Sequence, residues 1–147
     1  MRRILALVLL AGVLSACAGA GASATATPSA SATPSPTQPP AVPGSVIAVQ
    51  NYLQAVVTKN VDKVSTLSCK DWEQQAIQEV DSLQAVKAEL SGLACTQSSA
   101  DASGALVKCQ GKILITYNTE QQELDLSLRT YKVVQSGGDW LVCGYQQ

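Results

Sequence analysis

Five cysteines, Cys17, Cys69, Cys95, Cys109 and Cys143, are the residues of this 147-residue chain best suited to covalent chemistry. A thiol can cross-link, hold a metal, attack an electrophile or carry a lipid. The chain contains no histidine. Within one subunit that excludes a Ser-His-Asp triad, a Cys-His pair, a histidine general base and a histidine metal site. Carboxylates and tyrosines are the remaining acid–base candidates. Asp71 and Glu73 open a helical stretch; they could act as a pair at a pocket mouth, but helix-start capping is the simpler role for carboxylates there. Glu79, Asp81 and Glu89 are expected away from the apolar stripe of that helix, in solvent. Asp125 sits between Leu124 and Leu126 and points to the opposite face of their strand, while Glu120 and Glu123 flank a turn. No catalytic residue, metal or cofactor is assigned, and no glycine-rich phosphate loop or acidic calcium loop occurs. With no phenylalanine in the chain, Tyr52, Trp72, Tyr117, Tyr131 and Trp140 supply its aromatic mass together with Tyr145. The first five are candidates for lining a ligand pocket.

Spacing divides the cysteines. Four allow three connectivities. The stretch "GLACTQSSADASGALVKCQG" reads as two strands around the turn signal "ADASG". A hairpin centred near Ala102 sets Cys95 opposite Cys109, where facing Cβ atoms lie about 4.5–5.5 Å apart, near disulfide range. Cys69 is then left to pair with Cys143. A four-cysteine zinc site is disfavoured because no C-x₂-C pair occurs.

Cys17 is the odd one. Residues 1–16 hold Arg2 and Arg3, the apolar run "ILALVLLAGVL" and then "SA". That is the layout of a secretory signal peptide, too short in its apolar part for a permanent span. The signal places the rest in an oxidising compartment, where disulfides persist. Residues 14–17, "LSAC", resemble the bacterial lipoprotein signal at all four positions. The resemblance implies cleavage after Ala16, acylation of Cys17 with chains such as palmitate, and a membrane as partner through that anchor. Each buried CH₂ contributes about 0.8 kcal/mol, so two or more chains anchor stably.

The elements that must position these groups follow from composition and periodicity. Residues 17–43 are the anchored, Ala/Ser/Thr/Pro-rich tether, with no charge and no aromatic, and should not fold. Residues 44–147 form the folding unit. No basic patch stands out: Lys108, Lys112, Arg129 and Lys132 are interleaved with apolar residues on expected strands, and the whole chain has a formal net charge of -1; neither feature suits nucleic acid. Val46, Val49, Leu53 and Val56 fall at helical spacing behind Ser45, an expected N-cap. Asn60 is placed to cap a short second helix. Trp72, Ala76, Val80, Leu83 and Leu90 mark a third helix expected to end at Gly92. From Leu93 the period becomes two. Three strands follow the first: one carrying Val107 to Tyr117, one from Glu123 to Val134 with a bulge near Arg129–Thr130, and a last strand "WLVCGY" after the turn "QSGGDW". Gly111 inside its strand suggests a bend. The expected fold class is α+β: three helices packed on one face of a curved four-stranded antiparallel sheet, braced by disulfides.

The order of elements and the phrases "LSCKDWE", "TYN", "LRTYKVV" and "GGDWLVCGY" resemble small bacterial proteins of the nuclear transport factor 2-like superfamily, the cystatin-like α+β cone. The resemblance covers residues 45–147 and implies a fold more than an activity, since that superfamily hosts enzymes, binding modules and structural domains. The expectation is a non-enzymatic, lipid-anchored domain on the extracytoplasmic face of a bacterial membrane, binding a ligand or an envelope protein. The alternatives are a small isomerase- or dehydratase-like enzyme acting on a hydrophobic substrate inside the cone, and a structural homodimerisation domain. An enzyme calls for a deep pocket with a buried carboxylate. A cone filled by Val107, Ile113, Leu126 and Trp140 argues against one.

Overall fold

The structure, a computed structural model, describes residues 41–147. The expected signal peptide, most of the expected tether and Cys17 lie outside the described residues. The chain runs through helices α1 (Gly44–Val57), α2 (Val61–Thr66) and α3 (Glu73–Ser82), then strands β1 (Lys87–Asp101), β2 (Gly104–Tyr117), β3 (Glu120–Asp125), β4 (Thr130–Ser136) and β5 (Asp139–Gln146), with a 3₁₀ turn at Leu126–Leu128 between β3 and β4. The class is α+β, and every pairing between these strands is antiparallel.

Helix α1 is buried on more than one side. Val46, Val49, Leu53 and Val56 form the expected stripe, and Ala48 and Ala55 are buried beside it. Small residues at those positions let α2, α3 and the sheet close around the helix. Ser45 does not cap α1. Pro43 occupies the N-cap, as suits a residue whose missing N–H costs nothing near a helix start. Ser45 lies inside the first turn, fully buried, and its hydroxyl donates to Gln97 Oε1 at 2.6 Å, tying α1 to β1. Asn60 caps α2 through its side chain, which accepts from the Lys63 N–H at 2.9 Å.

Helix α3 is shorter than its apolar spacing suggests. Its last residue is Ser82 rather than one beside Gly92, and Lys87–Ser91 pairs instead with Lys112–Thr116 of β2. The Lys59 ammonium, on a residue with φ +59°, donates to the carbonyls of Gln84 and Val86 at 3.1 and 2.6 Å and so closes the turn after α3. Gly92 is therefore in β1 and not at a helix C-terminus. It faces Gly111 across a bulge where β1 advances three residues, Ser91 to Ala94, against two on β2. Gly111 has φ +101°, and a Cβ there would sit 2.6 Å from the carbonyl oxygens of Ser91 and Gly92. No side chain fits, and the sheet bends at this point.

The sheet has five strands rather than four. The order is β1-β2-β4-β5, with β3 also on β2. Residues Lys112–Tyr117 of β2 pair with β3, and Ala105–Lys108 pair with β4. The expected third strand is thus one run along the edge of β2, broken by the 3₁₀ turn where a simple bulge was expected. The break is local in origin: the Asp125 carboxylate accepts from the Ser127 N–H at 2.8 Å and starts the turn. Leu126 is driven into the core while Leu128 is left exposed.

The disulfides join Cys95 to Cys109, which are register partners on β1 and β2, and Cys69 to Cys143, which tie the α2–α3 loop to β5. Backbone bonds flank the second bridge: Cys69 N–H donates to the Val142 carbonyl and Val142 N–H to the Leu67 carbonyl, both at 2.8 Å. The core lies between the helices and one face of the sheet and includes Tyr52, Leu53, Val80, Val107, Leu126 and Tyr131.

Candidate functional site

Three elements deliver polar groups to one place at the edge of that core. Tyr52 comes from α1, Glu79 from α3, and Arg129 from the residue that ends the 3₁₀ turn. The sequence pattern puts Glu79 in solvent, and the structure overturns that: its side chain is only 15% exposed. The physical reason is helical spacing. Glu79 follows buried Ala76 by three residues and precedes Leu83 by four, so it shares their face. The carboxylate is made tolerable there by partners distant in sequence.

Tyr52 Oη donates to Glu79 Oε2 at 2.8 Å, and Trp72 Nε1 donates to Tyr52 Oη at 3.2 Å. Arg129 Nη1 stands 3.7 Å from Glu79 Oε1, close enough for an ion pair and too far for a hydrogen bond. The guanidinium is 14% exposed and lies 4.1 Å above the Tyr145 ring. Tyr145 meets Trp72 and Tyr131 edge to face, with centroids 5.6 and 5.7 Å apart. Trp72 in turn lies over Gly144, where a Cβ would come within 3.2 Å of its ring. Two buried polar atoms in this cluster have no hydrogen-bond partner, Glu79 Oε1 and the Tyr131 hydroxyl.

The electrostatics follow from burial. The Tyr52 hydroxyl is pushed well above the ordinary tyrosine range by burial, with the Glu79 charge adding and the Trp72 hydrogen bond opposing. Tyr131 is raised to about 12 by burial, against the pull of the Arg129 guanidinium beside it. Tyr145 is raised by burial and by Glu79. All three hydroxyls therefore keep their protons at neutral pH, and Tyr52 uses its proton to donate to Glu79.

Glu79 and Arg129 also wall a cleft of about 100 Å³ between α1, α3 and the sheet. The rest of its lining is Leu53, Val56, Leu83, Ile113, Ile115 and Leu124, with Ser82 at the end of α3. At roughly 30 Å³ per water in the liquid, it admits about three water-sized groups. Val107, Ile113 and Leu126 fill the interior beside it. Trp140 lies elsewhere, against Gly44 at the start of α1.

Of the aromatic candidates, the structure brings Tyr52, Trp72 and Tyr131 together. Tyr117 is 58% exposed at the end of β2, and Trp140 belongs to a separate groove with Ile47, Asn51 and Leu141. Asp71 is exposed, and Glu73 pairs with Lys70 at 3.2 Å, away from the cleft. Asp125 is spent on the 3₁₀ turn. Sequence reasoning missed Glu79 and Arg129 as site residues. The helical spacing of Glu79 was a usable signal; nothing local marks Arg129. Among the described residues no three His, Cys, Asp or Glu side chains are grouped to hold a metal ion. No described helix is long and apolar enough to cross a membrane.

No family model and no curated protein matches the chain. Solved structures similar to it in outline include the following two. One is a SEC-C motif containing protein from Rhodopseudomonas palustris, at 10% identity and TM-score 0.46, covering 67% of this chain and 74% of that one. The other is described as a "Putative Scytalone Dehydratase" from Novosphingobium aromaticivorans DSM 12444, at 12% identity and TM-score 0.46, covering 67% of this chain and 76% of that one.

Proposed function

We propose that this protein is a lipid-anchored, non-enzymatic binding module on the extracytoplasmic face of a bacterial membrane, its domain a nuclear transport factor 2-like cone. Its ligand places a short apolar end in the cleft beside Glu79. The observation that carries the reading is the Glu79–Arg129 pair set in a wall that is apolar apart from Ser82. Apolar lining with a few placed polar groups is how small-molecule sites combine affinity with orientation. The cleft's small size supports capture of one end of a ligand rather than enclosure of a whole substrate. The anchor rests on "LSAC" behind its apolar run and ahead of the tether.

Two measurements test the halves of the proposal separately. Leu83→Trp fills the cleft; if the module reading holds, it should abolish binding of short apolar probes, followed by methyl chemical shifts of Ile113, Ile115 and Leu124. Unchanged binding would remove the cleft from consideration. Cys17→Ser should move the protein from the membrane to the soluble fraction; retention on the membrane would end the anchor reading.

A second reading has one observation in its favour. Glu79 Oε1 is a buried carboxylate oxygen without a hydrogen-bond partner, the kind of group a small isomerase- or dehydratase-like enzyme uses as a base. That reading expects turnover of a hydrophobic substrate that is lost in Glu79→Gln while binding persists.

A further inference from the structure

The groove around Trp140 opens where the chain enters α1. One wall is the stripe Gly44, Ile47, Ala48 and Asn51 of α1; Leu67 and Trp140 stand across from it. Gly44 makes room for the indole, since a Cβ there would come within 2.8 Å of Trp140 Cδ1 and Nε1. Pro43, one residue earlier, is fixed on the first turn of α1: its carbonyl accepts from the Val46 and Ile47 N–H groups at 3.0 and 3.2 Å. Val42 and Ile47 are left 57% and 45% exposed at this junction. Apolar side chains gathered in the open beside a groove mark a surface for an occupant. We propose that the occupant is the chain's own residues 39–42, with the rings of Pro39 and Pro40 packed on Trp140 and Ile47.

Position and composition both favour this segment over a foreign one. Pro39 and Pro40 lie outside the described residues, but Pro40 is only three residues from the fixed Pro43. All six prolines of the chain fall between residues 28 and 43. Paired prolines are already restricted to extended conformations, so they lose little entropy on docking against an aromatic wall. Trp140 offers a broad apolar ring and an indole N–H that can donate to a carbonyl of the segment. Val42 precedes Pro43 and Pro39 precedes Pro40, which holds both in the extended region. Ala41 between them is where the chain turns back over the ring. The groove holds about 300 Å³. At roughly 30 Å³ per water-sized group, that is room for about ten, the number of ring atoms in two prolines. The backbone carbonyls stay at the open rim, in water. Residues 18–43 carry no charge, and Asp139 at the rim is the one charged residue lining the groove, so docking buries no ion. A link of a few residues gives an effective concentration on the order of mM, so contacts too weak for a free peptide suffice. The flexible part of the leading segment then ends near Gln38, and the domain has a fixed orientation relative to that point.

The test is NMR of the isotope-labelled full-length chain. Nuclear Overhauser contacts are expected from the Pro39 and Pro40 ring protons to the Trp140 indole and the Ile47 methyls. In Pro39→Ser/Pro40→Ser these contacts should vanish and the Trp140 indole N–H resonance should shift. The substituted residues precede α1, and unchanged amide resonances in the sheet check that the fold is kept. Absence of the contacts, with the same Trp140 resonance in both proteins, would overturn the proposal. Contacts seen only between differently labelled molecules, and growing with protein concentration, would also overturn it by making a second copy the occupant.

Discussion

Tyr52 and Tyr131 are both fully buried, yet their hydroxyls stand in opposite situations. Tyr52 Oη joins Trp72 to Glu79, whereas Tyr131 Oη has no hydrogen-bond partner. Removing a shared hydroxyl strands its partners, at about 1–3 kcal/mol for each buried polar group. Tyr52→Phe should therefore destabilise by about 2 kcal/mol or more in urea unfolding. Tyr131→Phe should be neutral or stabilising, because the hydroxyl it deletes gains no hydrogen bond in the folded state. The same residue makes stability depend on pH. Tyr131 titrates near 12 in the folded protein against 10.0 for an ordinary tyrosine. Between those values the unfolded chain has released a proton that the folded chain retains, so stability falls as pH rises. The slope is about 1.4 kcal/mol per pH unit for each such group. Tyr131→Phe should flatten the decline measured above pH 10; an unchanged slope would show that the buried hydroxyl is not its source.

At the scale of elements, the bend in the sheet depends on two glycines meeting backbone to backbone. Gly111→Ala would force a Cβ against two carbonyl oxygens and hold alanine at φ +101°. Strained backbone of that kind costs on the order of 1–3 kcal/mol before the clash is counted. A drop in Tm is expected, with loss of hydrogen-exchange protection centred on Ser91–Ala94; protection unchanged there would mean the bulge adapts. Much of this level was legible. The α1 stripe, the Asn60 cap, the β1–β2 hairpin and the bend at Gly111 all follow from residues close in sequence. The border between α3 and β1 did not. Lys87–Leu90 contains good helix formers, and only pairing with the far half of β2 converts it to strand. The split between β3 and β4 was partly visible as a change of register, but its form depended on Asp125 accepting from Ser127.

For the whole domain, the two disulfides constrain the unfolded chain unequally. Cys69–Cys143 spans 74 residues and Cys95–Cys109 spans 14. Loop-closure entropy assigns about 4 kcal/mol to the long bridge and about 3 kcal/mol to the short one. The Cys69→Ser/Cys143→Ser double variant should thus unfold at lower urea than Cys95→Ser/Cys109→Ser; the reverse order would point to a native-state role for the hairpin bridge. A folding unit of about 100 residues buries a modest share of its surface, so such cross-links matter to it.

Sequence alone determined what depends on neighbours along the chain: the helical and alternating periods, and a hairpin whose symmetry sets Cys95 against Cys109. Tertiary structure decided the site. Tyr52, Glu79 and Arg129 lie on three elements, 27 residues separating Tyr52 from Glu79. A glutamate on a buried helix face is unfavourable by itself, and its position there is intelligible only with the tyrosine and arginine that the fold brings to it. Helical spacing marks the face that Glu79 occupies, but its pairing with residues on two other elements is a property of the packed chain.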